Sequence, residues 1–298
     1  MKRRFVTLDV FTNRRFTGNP LAVVLDAEGM DTTMMQAVAR EFNLAETVFV
    51  LPAKDENHRA ALRIFTPATE LPFAGHPTIG TAVLLNRLDG GSTREFVVEE
   101  GVGPIQCTTN SIDDDCGRAR FQLPRLPEER GEIGSREAVA AVLSLSADEI
   151  GFGDFRPSCW SAGVALNFVP VSGLEAIGRC RINEAEWERA FGKDGPTAVY
   201  VFCRETIEAG SSFHARMFAP RLGINEDSAT GAAVAAFSGL LVRFAPPPNG
   251  DHDLCIEQGY EMGRPSRIGL SVRIADQQLA AAAISGEAIV VSEGVIEP

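Results

Sequence analysis

Three side chains able to take or hold a proton stand beside short turns in this chain. They are Glu46 in Asn43-Leu44-Ala45-Glu46-Thr47, His76 in Gly75-His76-Pro77, and Asp227 in Glu226-Asp227-Ser228-Ala229-Thr230-Gly231. A carboxylate at the start of a buried strand is partly desolvated. Its pKa rises toward the range where it can both accept and return a proton near neutral pH, which is what general acid/base catalysis needs. Glu46 fits that role. Position alone also allows blander readings: Glu46 as an exposed helix-terminal residue, Asp227 as the N-cap of the helix that follows, and His76 as a structural histidine.

Gly75-His76 and Gly231-Ala232 each open a helix without charged residues. The free N–H groups and positive dipole end of such a start attract anions. If two lobes faced each other across these turns, the cleft would suit a small carboxylate better than a cation. The alternative is that Gly75 and Gly231 only permit close packing of helix on strand. No G-x-x-x-x-G-K or G-x-G-x-x-G occurs, so nucleotide binding has no support.

The elements needed to position these residues come as a duplication. Arg63-Ile64-Phe65-Thr66-Pro67 matches Arg216-Met217-Phe218-Ala219-Pro220; Glu70, Gly75, Leu84 and Leu85 match Glu226, Gly231, Leu240 and Leu241. Val48-Phe49-Val50 matches Val199-Tyr200-Val201, and Glu99-Glu100-Gly101 matches Glu257-Gln258-Gly259, all about 150 to 160 residues apart. Across the repeat, Glu46 faces Thr197, His76 faces Ala232, and Asp227 faces Leu71, so each candidate is present in one copy only. Chemistry is expected where the copies differ.

Each copy reads as mixed α/β. The first has strands at Phe5–Phe11, Leu21–Leu25, Thr47–Leu51, Ala61–Phe65, Glu95–Glu99, Ile105–Thr109 and Ala119–Leu123, with a turn at Gly18-Asn19-Pro20. A helix capped by Asp31 and ended by Asn43 presents Met34, Met35, Val38 and Phe42, and a second starts at Gly75 with Pro77 in its first turn. The second copy has strands near 165–171, 198–203, 214–218, 254–257, 268–274 and 281–291, a helix from Gly231, and further helices at Arg136–Leu143 and Glu184–Phe191. The fold class expected is α+β: two pseudo-symmetric lobes, 1–126 and 127–298, each a barrel-like sheet around a central helix.

Composition bounds the partners. With 298 residues, 45% hydrophobic and 23% charged, the chain has the length of about two globular domains. A net charge of −12 argues against a sequence-independent hold on nucleic acid. Lys2, Arg3 and Arg4 could open a secretory signal, but Asp9, Asn13, Arg14 and Arg15 break the apolar stretch that should follow, so a cytoplasmic protein is expected. The uncharged stretch Ser228 to Val242 is shorter than the ~20 residues of a membrane span and reads as a buried helix. Six cysteines without C-x-x-C spacing, and histidines 58, 76, 214 and 252 without paired ligand spacing, point to reduced core thiols and no structural metal.

Several stretches together resemble the PhzF phenazine-biosynthesis-like family, which shares the diaminopimelate epimerase fold. They are Asp9-Val10-Phe11 with Thr17-Gly18-Asn19-Pro20-Leu21-Ala22-Val23; Asn43 through Phe49; Arg63 through Pro67 leading into Gly75-His76-Pro77-Thr78; Glu226 through Gly231; and Glu257-Gln258-Gly259 with Met262-Gly263-Arg264-Pro265-Ser266. They run through nearly the whole chain in the family's order. The resemblance implies a cofactor-free isomerase, commonly a homodimer. In the phenazine enzyme the glutamate matched by Glu46 moves a proton on dihydro-hydroxyanthranilate, and the resulting enol tautomerises to a ketone. His76 and Asp227 match the family's histidine and aspartate. Asn19, Gly75, Pro77, Thr230, Gly231 and Ala232 are the expected substrate-binding positions. Ala232 stands where the phenazine enzyme has a serine, and Ser228 where it has a proline, which puts the phenazine substrate itself in doubt. Epimerases of the same fold use two cysteines, but Ala74 and Thr230 occupy those positions here, which disfavours a two-thiol racemase. The expected activity is a proton shift within a small carboxylate. The alternatives are a non-catalytic carboxylate-binding dimer and an epimerase using Glu46 and Asp227 as oxygen bases.

Overall fold

A computed structural model describes residues 2–131 and 133–298. Its strands are β1 (Arg3–Val10), β2 (Asn19–Val24), β3 (Glu46–Leu51), β4 (Ala60–Phe65), β5 (Glu70–Leu71), β6 (Arg94–Glu100), β7 (Gly103–Ser111), β8 (Cys116–Gln122), β9 (Glu128–Glu129), β10 (Ser158–Ser161), β11 (Ala165–Pro170), β12 (Val199–Cys203), β13 (Phe213–Ala219), β14 (Ile224–Asp227), β15 (Gly250–Gln258), β16 (Ser266–Ala275) and β17 (Gln278–Ile296). Its helices are α1 (Thr32–Phe42), α2 (Gly75–Leu88), α3 (Arg136–Leu143), α4 (Leu174–Arg179), α5 (Trp187–Phe191) and α6 (Gly231–Phe244). The fold is α+β. Among the described residues no helix is long and apolar enough to cross a membrane.

The chain forms two compact units, 1–122 with 285–298, and 123–284. This differs from the expected division at 126/127, which gave 285–298 to the second lobe. The cause lies in β17, whose residues 288–296 pair antiparallel with β1, from Val10↔Ala288 to Arg3↔Ile296. Those hydrogen bonds tie the last segment to the first.

In the first unit, β1 pairs antiparallel with β2, β2 parallel with β3, β3 antiparallel with β4, β4 parallel with β6, and β6 antiparallel with β7. β7 continues to β8, and β8 and β1 both pair with β17, so eight strands close a barrel. α2 is its axis. Every residue from Gly75 to Asn86 is buried, and a Cβ on Gly80 would come 2.6 Å from Leu21 Cδ2 and 2.7 Å from Val10 Cγ2. Only glycine lets the helix lie this close to β1 and β2.

α1 packs outside this sheet. The Asp31 carboxylate caps it by accepting from Met34 N at 2.8 Å, and Asn43 ends it in the left-handed conformation, as expected. The buried face is Met35, Val38 and Ala39, whereas Met34 points out. The turn before β2 is tighter than the sequence suggested, for Asn19 and Pro20 already pair with Val10 and Asp9.

The second unit repeats the same alternation: β10–β11 antiparallel, β11–β12 parallel, β12–β13 antiparallel, β13–β15 parallel, β15–β16 antiparallel. Its axis is α6, which takes in most of the uncharged Ala- and Gly-rich stretch, carries Arg243 in its last turn and is buried along most of its length. Phe237 on α6 packs edge-on against Phe202 and Phe213 at 5.0 and 4.9 Å. α3, α4 and α5 cover the other sheet face through Val139, Val142, Leu143, Ile177, Trp187 and Phe191. The helix expected over 184–191 is a 3₁₀ turn followed by α5, and β10 and α4 were not anticipated.

Candidate active site

Glu46 is the first residue of β3, paired with Leu21 of β2. Its side chain is only 16% exposed, so the alternative of an exposed helix-terminal residue does not hold. His76, the second residue of α2, is 6% exposed, and its Nε2 lies 3.2 Å from Glu46 Oε2, off the line of a hydrogen bond. Burial pushes the His76 pKa down to about 3, against a hydrogen bond with the Pro20 carbonyl. The ring is therefore neutral. A neutral imidazole has one N–H, and the Pro20 carbonyl accepts it; with Nε2 facing Glu46, that donor is assigned to Nδ1. The lone pair of Nε2 then faces the carboxyl, and this pairing is attractive when the carboxyl carries the proton. Glu46 and His76 thus form a shielded pair.

The expected binding positions of this unit lie close by in the chain. Asn19 is buried at the start of β2, next to Pro20, whose carbonyl holds His76. Gly18 makes the turn with φ +69°, and a Cβ there would sit 2.4 Å from the Val10 carbonyl oxygen. Gly75, His76 and Pro77 form the buried first turn of α2, and the N-cap residue Ala74 offers no side chain to its N–H groups.

In the second unit Asp227 ends β14 and is not the N-cap of α6, a position held by Thr230. The Thr230 hydroxyl donates to Asp227 Oδ2 at 2.6 Å. Gln258 Nε2 donates to the Asp227 carbonyl at 2.8 Å and lies 3.0 Å from Thr230 Oγ1, while Gln258 Oε1 accepts from Thr230 N at 3.2 Å. Gly231 is buried and Ala232 partly exposed in the first turn of α6. The structure thus brings Glu46 together with His76, and Asp227 together with Thr230 and Gln258.

Sequence reasoning missed several residues. Tyr200 is fully buried with no hydrogen-bond partner for its hydroxyl, and burial with the nearby Asp227 charge pushes its pKa up. The other copy carries Phe49 at the matching position, a difference legible in the alignment. Glu99 accepts from Lys54 N, Asp55 N and His58 Nδ1, and Glu257 from Ile207 N, Glu208 N and His214 Nδ1. One carboxylate thus pins the matching loop in each copy. Arg63 grips Glu70 and stacks on Phe65, and Arg216 grips Glu226 and stacks on Phe218. The shared R-x-F-x-P is therefore an ion-pair and cation–π device.

All six cysteines are free, and burial lifts five of them to about 11 or 12, which keeps them as thiols. Among the described residues no group of His, Cys, Asp or Glu could hold a metal ion.

Two units of like strand order, the first closed into an eight-stranded barrel, have the PhzF-like fold, and the relatives named below make the chain an isomerase-class enzyme. The phenazine biosynthesis-like protein family (PhzC-PhzF) matches residues 8–294, and the chain belongs to that family. It is 47% identical to an uncharacterized isomerase of Mesorhizobium japonicum over 98% of both chains. It is 34% identical to trans-2,3-dihydro-3-hydroxyanthranilate isomerase of Pseudomonas aeruginosa, again over 98% of both. The crystal structure of the phenazine biosynthesis protein, PhzF family, from Bacillus anthracis covers 100% of both chains at 25% identity and a TM-score of 0.89.

Proposed function

We propose that this isomerase shifts a proton within a small carboxylate substrate, with Glu46 as the group that takes the proton from one carbon and returns it to another. The Glu46–His76 contact at 3.2 Å carries the reading, because a neutral imidazole facing a shielded carboxyl gives the moving proton a defined resting place. The proton count balances: the C–H bond that breaks supplies the proton that forms the new bond, and the enol left behind tautomerises to a ketone. Asn19, Gly75 and Pro77 are the binding positions we assign beside Glu46 in the first unit, and Asp227, held by the Thr230 hydroxyl, with Thr230, Gly231 and Ala232 are those we assign in the second. No cofactor is required, since the carboxyl itself carries the proton.

The first compound to assay is trans-2,3-dihydro-3-hydroxyanthranilate, for which the Pseudomonas aeruginosa relative is named. In deuterium oxide, turnover should place solvent deuterium at a substrate carbon. Glu46→Gln keeps size and loses the base, so it should cut the rate by at least ~100-fold. Undiminished turnover or exchange in that variant would refute the role given to Glu46. A pure carboxylate binder would exchange nothing. We take the working form to be a cytoplasmic homodimer; free thiols throughout support the compartment, and sedimentation equilibrium tests the dimer.

A further inference from the structure

Glu100, the last residue of β6, is a carboxyl that the proposed proton shift leaves unused. It is 8% exposed, its Oε2 is buried with no hydrogen-bond partner, and its Oε1 lies 2.7 Å from the hydroxyl of Thr78. That hydroxyl also lies 2.8 Å from the carbonyl oxygen of Ala74, the N-cap residue of α2. Thr78 has one hydroxyl proton and two acceptors. A carbonyl cannot donate, so both contacts are hydrogen bonds only when Glu100 is protonated and donates to Thr78, which then donates to Ala74. If Glu100 ionises, the Thr78 proton turns to the carboxylate, and the Ala74 carbonyl keeps only the bond from Thr78 N at 3.2 Å.

We propose that Glu100 is a positioning residue for the first turn of α2, its proton deciding whether the Thr78 hydroxyl adds a second, shorter bond to the Ala74 carbonyl and so tightens the turn that holds Gly75 and His76. The proton is set to leave in the working pH range, because burial lifts the Glu100 pKa to about 8. Lys54, Asp55, Glu56, His58 and Glu99 line one cavity with Glu100. Thr78 faces this carboxyl from α2 and the Cys107 thiol from β7, and burial together with Glu100 lifts that thiol to about 12. β4 brings only Ala60 and Ala61 alongside Val98 and Glu99, and the Glu99 carboxylate is already engaged by Lys54 N, Asp55 N and His58. Ionised Glu100 also adds negative charge one hydrogen bond away from a helix start where an anionic substrate would dock, and it weakens that docking.

This inference rests on the proposed function only for its effect on turnover, and its primary test needs no substrate. In protein labelled with ¹⁵N-histidine, the His76 ring signals should shift with a midpoint near pH 8, far above the ring's own titration. Glu100→Gln and Thr78→Val should each abolish the shift, and Thr78→Ser should restore it. His76 signals that stay fixed between pH 6.5 and 9.5, or that move equally in Glu100→Gln and wild type, overturn the proposal. Should Glu100→Gln fail to fold, the Thr78→Val and Thr78→Ser pair decides alone. With trans-2,3-dihydro-3-hydroxyanthranilate as probe, KM should rise roughly fivefold from pH 8 to pH 9 at unchanged kcat, and stay flat in Glu100→Gln. Loss of turnover at every pH, with the His76 shift intact, would count against the proposed function and leave the role of Glu100 standing.

Discussion

The neutrality of His76 has a consequence that can be measured without knowing the substrate. Its pKa falls from an ordinary 6.5 in the unfolded chain to about 3 in the fold. Below about pH 6.5 the unfolded state therefore binds a proton that the folded state refuses. The stability associated with His76 is fully present above that pH and is lost as the pH falls toward 3. Between pH 7 and pH 5 the loss comes to about 2 kcal/mol, at about 1.36 kcal/mol per unit of pKa difference. His76→Asn is the perturbation of choice, because its side-chain amide can still donate to the Pro20 carbonyl and cannot be protonated. Urea unfolding of both proteins at pH 7 and pH 5 gives the slopes. Groups out of contact with His76 contribute to both proteins and cancel in the difference, and making the comparison in a Glu46→Gln background removes the carboxyl that touches it. Wild type should lose about 2 kcal/mol more than the variant on acidification. Parallel losses would show that the buried ring is not held neutral, and the chemistry drawn for Nε2 would fall with it.

Three further outcomes follow from the geometry. His214 is fully buried between Glu257 and Glu261, and although burial opposes its charge, the two hydrogen bonds raise its pKa. Its stabilising effect is complete below about pH 6.5 and fades as pH rises through the raised value, and His214→Leu should cost about 3–5 kcal/mol by urea unfolding at pH 6. Gly18→Ala forces a Cβ to 2.4 Å from the Val10 carbonyl at φ +69° and should cost about 1–3 kcal/mol, read as a lowered Tm. With an aromatic disulfide reagent at pH 8, the native protein should react quickly at no more than Cys255, the one cysteine that is not buried, and at all six thiols once denatured.

Much of the scaffold was legible because local chemistry and global fold agree. Asp31 and Asn43 bracket α1 as capping rules require, and the alternating strands and buried helices of both copies fell near their expected ranges. The duplication was visible from short matches, and the paired roles of Glu99 and Glu257, and of Arg63 and Arg216, give those matches a physical cause. β10 and α4 escaped notice because four- and six-residue elements carry too little periodicity to register. The division of the chain differed because nothing in the sequence of one continuous strand marks where it leaves one sheet to pair with β1.

By itself, the sequence determined the repeated α+β unit, the residue types able to move a proton, and the copy in which each one lies, since all of these depend on neighbours a few positions away. The tertiary structure decided the states of those residues. That Glu46 meets His76, that the ring is neutral, that Thr230 rather than Asp227 stands at the N-cap position of α6, and that Glu100 and the Ala74 carbonyl meet at one Thr78 hydroxyl all follow from burial and from contacts between distant segments. Protonation depends on how much water a group keeps and which dipoles replace the rest, and only the folded chain fixes either.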